Sequence, residues 1–527
     1  MKFTTKKSII IILILSLFIG FFAGRITDAS ARDTKSLYSY MQLFTQVLKV
    51  IEDSYVDTLA PKDMILNSIN GMIDESMDPF TTLMTPEDFE ELRTSTKGKF
   101  GGLGIRISSP GDYITINSVI EGTPASQVGL IAGDKVIAVD GKSTKDWTTK
   151  KAAENMRGPK DSKVIVTVRR EGIDEDIDFE VTRDIVKIKS IPYVYKIKDD
   201  IGYIRIVNFN SDTGRDLQNS LEELKKQGIE GLIIDVRSNP GGLLSQAIET
   251  VDHFLPKSEL VVYTQGRKNK FNREYYTENN YEFNDIPIVV LVNQATASAA
   301  EIFSGSLQDY DKALVVGKNS FGKGSVQQLF RLPLNYGIKV TTSKYYIKSG
   351  RCIHKDRNKE AEEDSVQIDL KTRKEKHKYY TNNGRVVYGG GGITPDIIIE
   401  QDTLNKFEIK VRSKNLFFKY AVDYLADHEI DNDFNVTPEI FSDFVNYIDE
   451  NDIEYTEAQF AEGKNWLKNS LEAQIMSNKF GMEAGNKISV RMDPQLQNAV
   501  QLLEKYNSAE KLFDFAANHD SLNVEDL

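Results

Sequence analysis

Cysteine is almost absent: Cys352 is the single one in 527 residues, so no intrachain disulfide can form and a packed core has to hold the fold. Histidine is scarce as well, with five residues, and none of His253, His354, His377, His428 and His519 lies in a recognisable catalytic pattern. No His, Cys or carboxylate cluster has ligand spacing, so neither a metal nor an organic cofactor is implied. A basic stripe is missing too. The formal charge is -12, and the Lys- and Arg-rich stretch from Lys348 to Lys378 is broken by Glu360, Glu362, Glu363 and Asp364. It reads as a solvated loop face, and a sequence-independent grip on nucleic acid is excluded. Internal repeats and long low-complexity tracts are lacking.

One long apolar run exists, from Ile9 to Ala23, preceded by Lys2, Lys6 and Lys7 and followed by Arg25. This targeting layout sends the chain out of the cytoplasm. Ala29-Ser30-Ala31 offers small residues for a signal peptidase, Arg25 works against cleavage, and the run is at the short end of the roughly 17–25 residues that span a bilayer. Cleaved signal and retained anchor both stay open over residues 1–31. The expected location is extracytoplasmic, either periplasmic or attached to the cytoplasmic membrane.

At roughly 100–200 residues per domain the chain has room for three or four. Phe44, Val47, Leu48, Ile51 and Tyr55 recur at helical spacing, and Thr85-Pro86-Glu87-Asp88 opens a further helix, so residues 36–98 read as helical. That unit either packs on the rest or pairs with a second copy. Residues 99–184 change to short strand-like runs punctuated by glycine. From 185 to 402 strands and helices alternate, which predicts a sheet covered by helices with ligands bound beyond the strand ends. Residues 403–527 are helical again, with aromatic-rich amphipathic runs and no readable chemistry.

Ser298 lies between small residues after the strand-like run Ile286 to Val292, at the start of a helix whose free N–H groups, with Ala299 among them, face an oxyanion. Ser298-Ala299-Ala300-Glu301 also fits a capping box, in which the serine only satisfies helix N–H groups. Lys323, among glycines, is a candidate general base once its amine is desolvated, and Gln327 is placed to orient it. Gly317 to Lys323 begins like a phosphate-binding loop, but Gly324 stands where a magnesium-binding Ser or Thr belongs and no helix follows. The run Asp235 to Gly242 ends a strand in a tight turn, where Gly241 or Gly242 offers a second oxyanion donor. An ordinary strand-to-helix turn is the plainer alternative.

Leu103-Gly104-Ile105, Gly122-Thr123-Pro124-Ala125, Gly129-Leu130, Gly133-Asp134 and Asp140-Gly141 together resemble a PDZ domain. Taken with the serine and lysine segments, Asp78-Pro79-Phe80 and Gly392-Ile393-Thr394-Pro395-Asp396, the chain resembles the carboxy-terminal processing, or tail-specific, proteases over roughly Met77 to Glu400. The resemblance implies an α+β multidomain fold: a helical N-terminal region, a PDZ domain at 99–184, an α/β serine protease core at 185–402 and a helical extension at 403–527. It implies Ser298 as nucleophile, Lys323 as general base, Gln327 as orienting residue, substrate tails held at Leu103, Gly104 and Ile105, and Arg157 as a gating residue. Partners would be protein substrates bound by their C-terminal tails, with a second copy and an adaptor or activator as further candidates. An insertion at about 352–388 and the helical tail depart from the short family pattern. A non-catalytic PDZ scaffold and a serine-dependent esterase or acylase are the rival functions.

Overall fold

The computed structural model describes residues 37–109, 111–279, 283, 286–355, 377–400 and 403–518. The apolar run at 9–23 and the stretch 356–376 of the expected insertion lie outside the described residues. The chain divides into two units, one of Met1–Thr85 with Leu329–Val340, the other of Pro86–Gln328 with Thr341–Leu527.

In the first unit a helix over 37–54 is followed by the helix Pro61–Ser76, which starts with proline where an N–H would be orphaned anyway. The strand Thr82–Met84 pairs antiparallel with Gly337, Ile338 and Lys339. Leu37, Met41, Val47 and Val50 of the first helix are exposed.

In the second unit, an antiparallel sheet runs in the order Ile105–Ser108, Ile114–Val119, Lys135–Val139, Lys163–Arg169, Ile177–Thr182. Val164, Val166 and Val168 alternate inward, the period-two pattern of a half-buried strand, and meet Leu103, Ile114, Ile116 and Val181 in a small core. Ile105–Ser108 is an end strand of this sheet among the described residues.

A mixed sheet of this unit has the order Tyr193–Lys196, Ile201–Arg205, Gly231–Asp235, Ile288–Val292, Leu314–Gly317, Ile397–Ile398, parallel except for its first strand. Gly231–Asp235 and Ile288–Val292 are buried at every position, as expected for parallel strands covered on both faces. On one face Leu217, Leu221, Val251, Ile302 and Phe303, from the helices Thr213–Lys226, Leu244–Asp252 and Ala299–Asp309, pack into a single core with Ile234 and Val290. The other face belongs to the end of the chain. Leu496, Val500 and Leu503 of the helix Pro494–Lys505, with Leu512 and Ala516 of Ala509–Asn518, cover Ile201, Ile233, Val289, Leu291 and Val316. At about 1.5–3 kcal/mol per buried large aliphatic side chain, this contact is a main stabiliser of the sheet. The role that the C-terminal helices withheld in sequence is thus partly structural. The preceding helices, Lys406–Ser413 to Glu457–Phe480, form their own cluster around Phe407, Phe417, Tyr420, Phe444 and Leu471.

Candidate active site

Ser298 stands where the chain leaves the carboxyl edge of the parallel sheet and enters the helix Ala299–Asp309, every residue of which is buried. Its backbone has φ 56 and ψ -116, a conformation that costs a non-glycine residue about 1–3 kcal/mol and persists only when its surroundings enforce it. The enforcement is visible. Asn239 O accepts the Ala297 N–H at 2.8 Å, and Glu301 Oε2 accepts the Ser298 N–H at 2.8 Å. The Glu301 N–H is itself served by the Ser298 carbonyl at 2.9 Å, so the helix start does not depend on the serine hydroxyl as a cap.

Glu301 does more than complete a capping box. Fully buried, it also takes Ser320 Oγ–H and the Gly322 N–H on Oε1 at 2.5 and 2.7 Å, and the Lys323 N–H on Oε2 at 2.9 Å. Burial raises its pKa, and these hydrogen bonds pull it back toward the carboxylate. Tyr345 ties the same two segments from another side, its hydroxyl lying 3.1 Å from the Ser298 carbonyl and 2.5 Å from that of Lys323. One carboxylate and one phenol thus join the backbones of the serine and the lysine. Sequence reasoning read Glu301 only as a cap and missed Tyr345. The S-x-x-E spacing was the one signal available for the former, and nothing local marks the latter.

Lys323 is half-buried between Gly322 and Gly324. A methyl on Gly322 would lie 2.8 Å from Lys355 Cβ, and one on Gly324 2.5 Å from the His354 N atom. The described histidines differ in placement: His354 runs beside the lysine segment, while His253 bonds the Gly214 carbonyl at 3.0 Å and His428 stacks on Tyr424. Gln327, on the strand Ser325–Arg331, donates from its amide nitrogen to Ser325 Oγ at 2.9 Å and Thr341 Oγ1 at 3.2 Å.

The glycine turn meets the serine directly. A Cβ on Gly241, whose φ is +95, would fall 2.8 Å from both Ser298 Cβ and the Ala299 N atom, and one on Gly242 would meet the Phe209 carbonyl oxygen at 2.1 Å. The Gly241 N–H already donates to Asn239 Oδ1 at 2.8 Å, so of the two glycines considered as oxyanion donors Gly242 is the one favoured, with Ala299. Gly241 has a different use: it lets the turn approach the serine. Gly241→Ala is expected to lower kcat on the order of 10²-fold, as loss of an oxyanion donor does, with KM little changed. Steady-state kinetics on the folded variant checks this.

Just before the antiparallel sheet's end strand, Leu103 is buried and its carbonyl accepts the Ala125 N–H at 2.9 Å. Gly104 has φ +88, and a Cβ there would strike Thr123 at 2.3 Å. Ile105 opens the end strand, whose free edge suits an added peptide strand. Arg157 closes the helix Thr149–Met156 and lies 4.9 Å over the Phe100 ring, beside this glycine segment.

Comparison with known proteins agrees with this layout. Residues 200–366 match the model of peptidase family S41, residues 115–170 that of the PDZ domain, and residues 407–481 that of a family of unknown function. The carboxy-terminal-processing protease of Bartonella bacilliformis is 34% identical over 383 residues, which cover 72% of this chain and 79% of the relative. The carboxyl-terminal-processing protease of Synechocystis sp. is 36% identical over 314 residues, 58% of this chain and 72% of the relative. Among solved structures, a photosystem II D1 C-terminal processing protease aligns over 68% of this chain and 92% of its own at 25% identity, with a TM-score of 0.37 that adds nothing to the assignment. With its PDZ domain and peptidase core in a mixed α+β fold, the chain belongs to the carboxy-terminal-processing serine proteases of peptidase family S41.

Proposed function

We propose that this chain is an ATP-independent endopeptidase of the cell envelope that takes proteins by their C-terminal tails and cuts them with a Ser298–Lys323 dyad. The observation that carries the reading is the joint hold of Glu301 and Tyr345 on the backbones of Ser298 and Lys323. Neutral Lys323 Nζ takes the hydroxyl proton as Ser298 Oγ bonds to the scissile carbonyl carbon. The Gly242 and Ala299 N–H groups stabilise the resulting oxyanion. As the tetrahedral intermediate collapses, the C–N bond breaks and Lys323 returns the proton to the leaving amine. Water, deprotonated by the same lysine, then releases the acyl group from Ser298. Gln327 Oε1 orients the lysine, and Arg157 beside the tail-binding segment Leu103, Gly104 and Ile105 relays occupancy.

The Lys-flanked apolar run near the N-terminus supports an extracytoplasmic location, with cleaved signal and retained anchor both compatible. The exposed Leu37, Met41, Val47 and Val50 support pairing with a second copy or an adaptor.

The test is an unfolded protein with an apolar C-terminal tail, offered without ATP and with the tail either free or amidated, the products being weighed by mass spectrometry. Cleavage is expected, with KM raised roughly tenfold by amidation, since the tail carboxylate is what the PDZ loop would hold. Equal cleavage of both forms removes tail recognition from the reading. Hydrolysis of an activated ester with no cleavage of either protein favours the acylase alternative.

A further inference from the structure

The strand Gly231–Asp235 delivers Arg237 into the turn that meets Ser298, and its guanidinium makes four hydrogen bonds and a further ion-pair contact. Nε and Nη2 bond Asp235 at 3.0 and 2.7 Å. Nη1 and Nη2 reach the two carboxylate oxygens of Asp493 at 2.9 and 2.6 Å, and Nη1 also donates to Gln495 Oε1 at 3.1 Å. Two of these hydrogen bonds and the further ion-pair contact go to the start of the C-terminal helix Pro494–Lys505.

Charge balance makes the same point. Arg205 shares Asp235 with Arg237, at 2.5 Å. Burial opposes the charge on Asp235, but the two arginines outweigh it and hold the carboxyl well below the usual range. Two cations on one buried carboxylate leave a net positive charge, and Asp493 brings the group to neutrality.

What Arg237 holds is the catalytic turn. Its carbonyl is fixed by Arg205 at 2.6 Å. Ser238, at φ 54, donates its N–H to Asn293 Oδ1 at 2.7 Å, and Asn239 joins Gly241 and Ala297. A cavity of about 240 Å³ opens beside Arg237, Ser238 and Asn293, so on that side hydrogen bonds and ion pairs position the turn rather than packing. The helix itself is also docked by Leu496, Val500 and Leu503, independently of the Asp493 contacts to Arg237.

We propose that Asp493 is a positioning residue of the peptidase: through Arg237 it locks the Ser238–Gly242 turn against Ser298, so that the C-terminal segment completes the active site. This rests on the Ser298 reading above.

Asp493 also caps its helix, accepting the Leu496 N–H at 3.1 Å, so the decisive variant is Asp493→Ser, which can still cap but lacks the paired oxygens. In full-length protein, Asp493→Ser and Asp493→Ala are expected to lower kcat on the order of 10- to 100-fold with KM within twofold, as a displaced oxyanion turn would. Asp493→Glu should recover part of that loss, and Asp493→Ser should melt within a few degrees of wild type. If Asp493→Ser keeps kcat within twofold, the lock is absent. If its kcat loss is matched by unfolding, or Asp493→Glu is no better than Asp493→Ala, the residue is only structural and the proposal falls. Ser298→Ala in the same assay separates the two levels: if it cuts like wild type, the serine reading fails and the lock with it.

Discussion

Ser298→Ala and Lys323→Ala are each expected to lower kcat on the order of 10³-fold or more while both proteins remain folded. The size follows from removing the bond-forming atom in one case and the proton acceptor in the other. Retention of the fold follows from the hydrogen bonding. At Ser298 the backbone is held through its N–H to Glu301 and its carbonyl to Tyr345, and at Lys323 the same two side chains do the same work. Neither side chain is needed for those contacts. Lys323→Arg should be as inactive as the alanine variant, because a guanidinium does not give up its proton near neutral pH. His354→Ala, beside the lysine segment, should retain most activity. Steady-state kinetics on a protein substrate, with thermal melting as the control, decides the matter. A dead His354→Ala with an active Lys323→Ala would transfer the role of base to the histidine.

Glu301→Gln should be nearly as damaging to turnover, on the order of 10²- to 10³-fold, and should also destabilise the protein. The buried carboxylate accepts from four donors, two on each oxygen. A glutamine keeps one accepting oxygen and turns an NH₂ toward the other pair of donors. Either the N–H groups of Ser298 and Lys323, or the Ser320 hydroxyl and the Gly322 N–H, then lose their acceptor, at about 1–3 kcal/mol for each buried donor left without a partner. The strained serine loses part of what enforces its φ of 56. Glu301→Asp keeps the charge and should fall between wild type and glutamine in both kcat and melting temperature. A folded Glu301→Gln enzyme with wild-type kcat would show that the carboxylate supports the fold alone.

The strands that build the catalytic sheet were readable because parallel strands are continuous apolar runs ended by glycine or asparagine. Ile286 to Val292 was expected and Ile288–Val292 is found. The long strand Gly337–Ile347 was not read, since its burial alternates only over Ser343–Ile347 and its first half shows no period of two. Tyr345 lies on that strand, 47 positions from Ser298, and its contact exists only in three dimensions. Glu301 was noticed for its spacing but undervalued, because a local capping pattern hides the fact that Ser320, Gly322 and Lys323 return to the same carboxylate. The final helices were opaque for the opposite reason. Their apolar face is ordinary amphipathic patterning, and only the sheet they cover reveals its use.

That covering has a consequence for the order in which the chain matures. Ile201 and Ile233 share a core with Leu496 and Leu503, so contacts closing the sheet span about half the sequence, the kind of topology that folds slowly. Synthesis at about 5–20 residues per second delivers the serine and lysine long before residues 494–518 emerge. Through that interval one face of the sheet is bare, and the nascent chain holds both reactive groups on an unfinished scaffold. On the proposed role of Asp493, the serine turn gains its lock only when residues 494–518 have seated, so the last helices to be made are also the ones that finish the site.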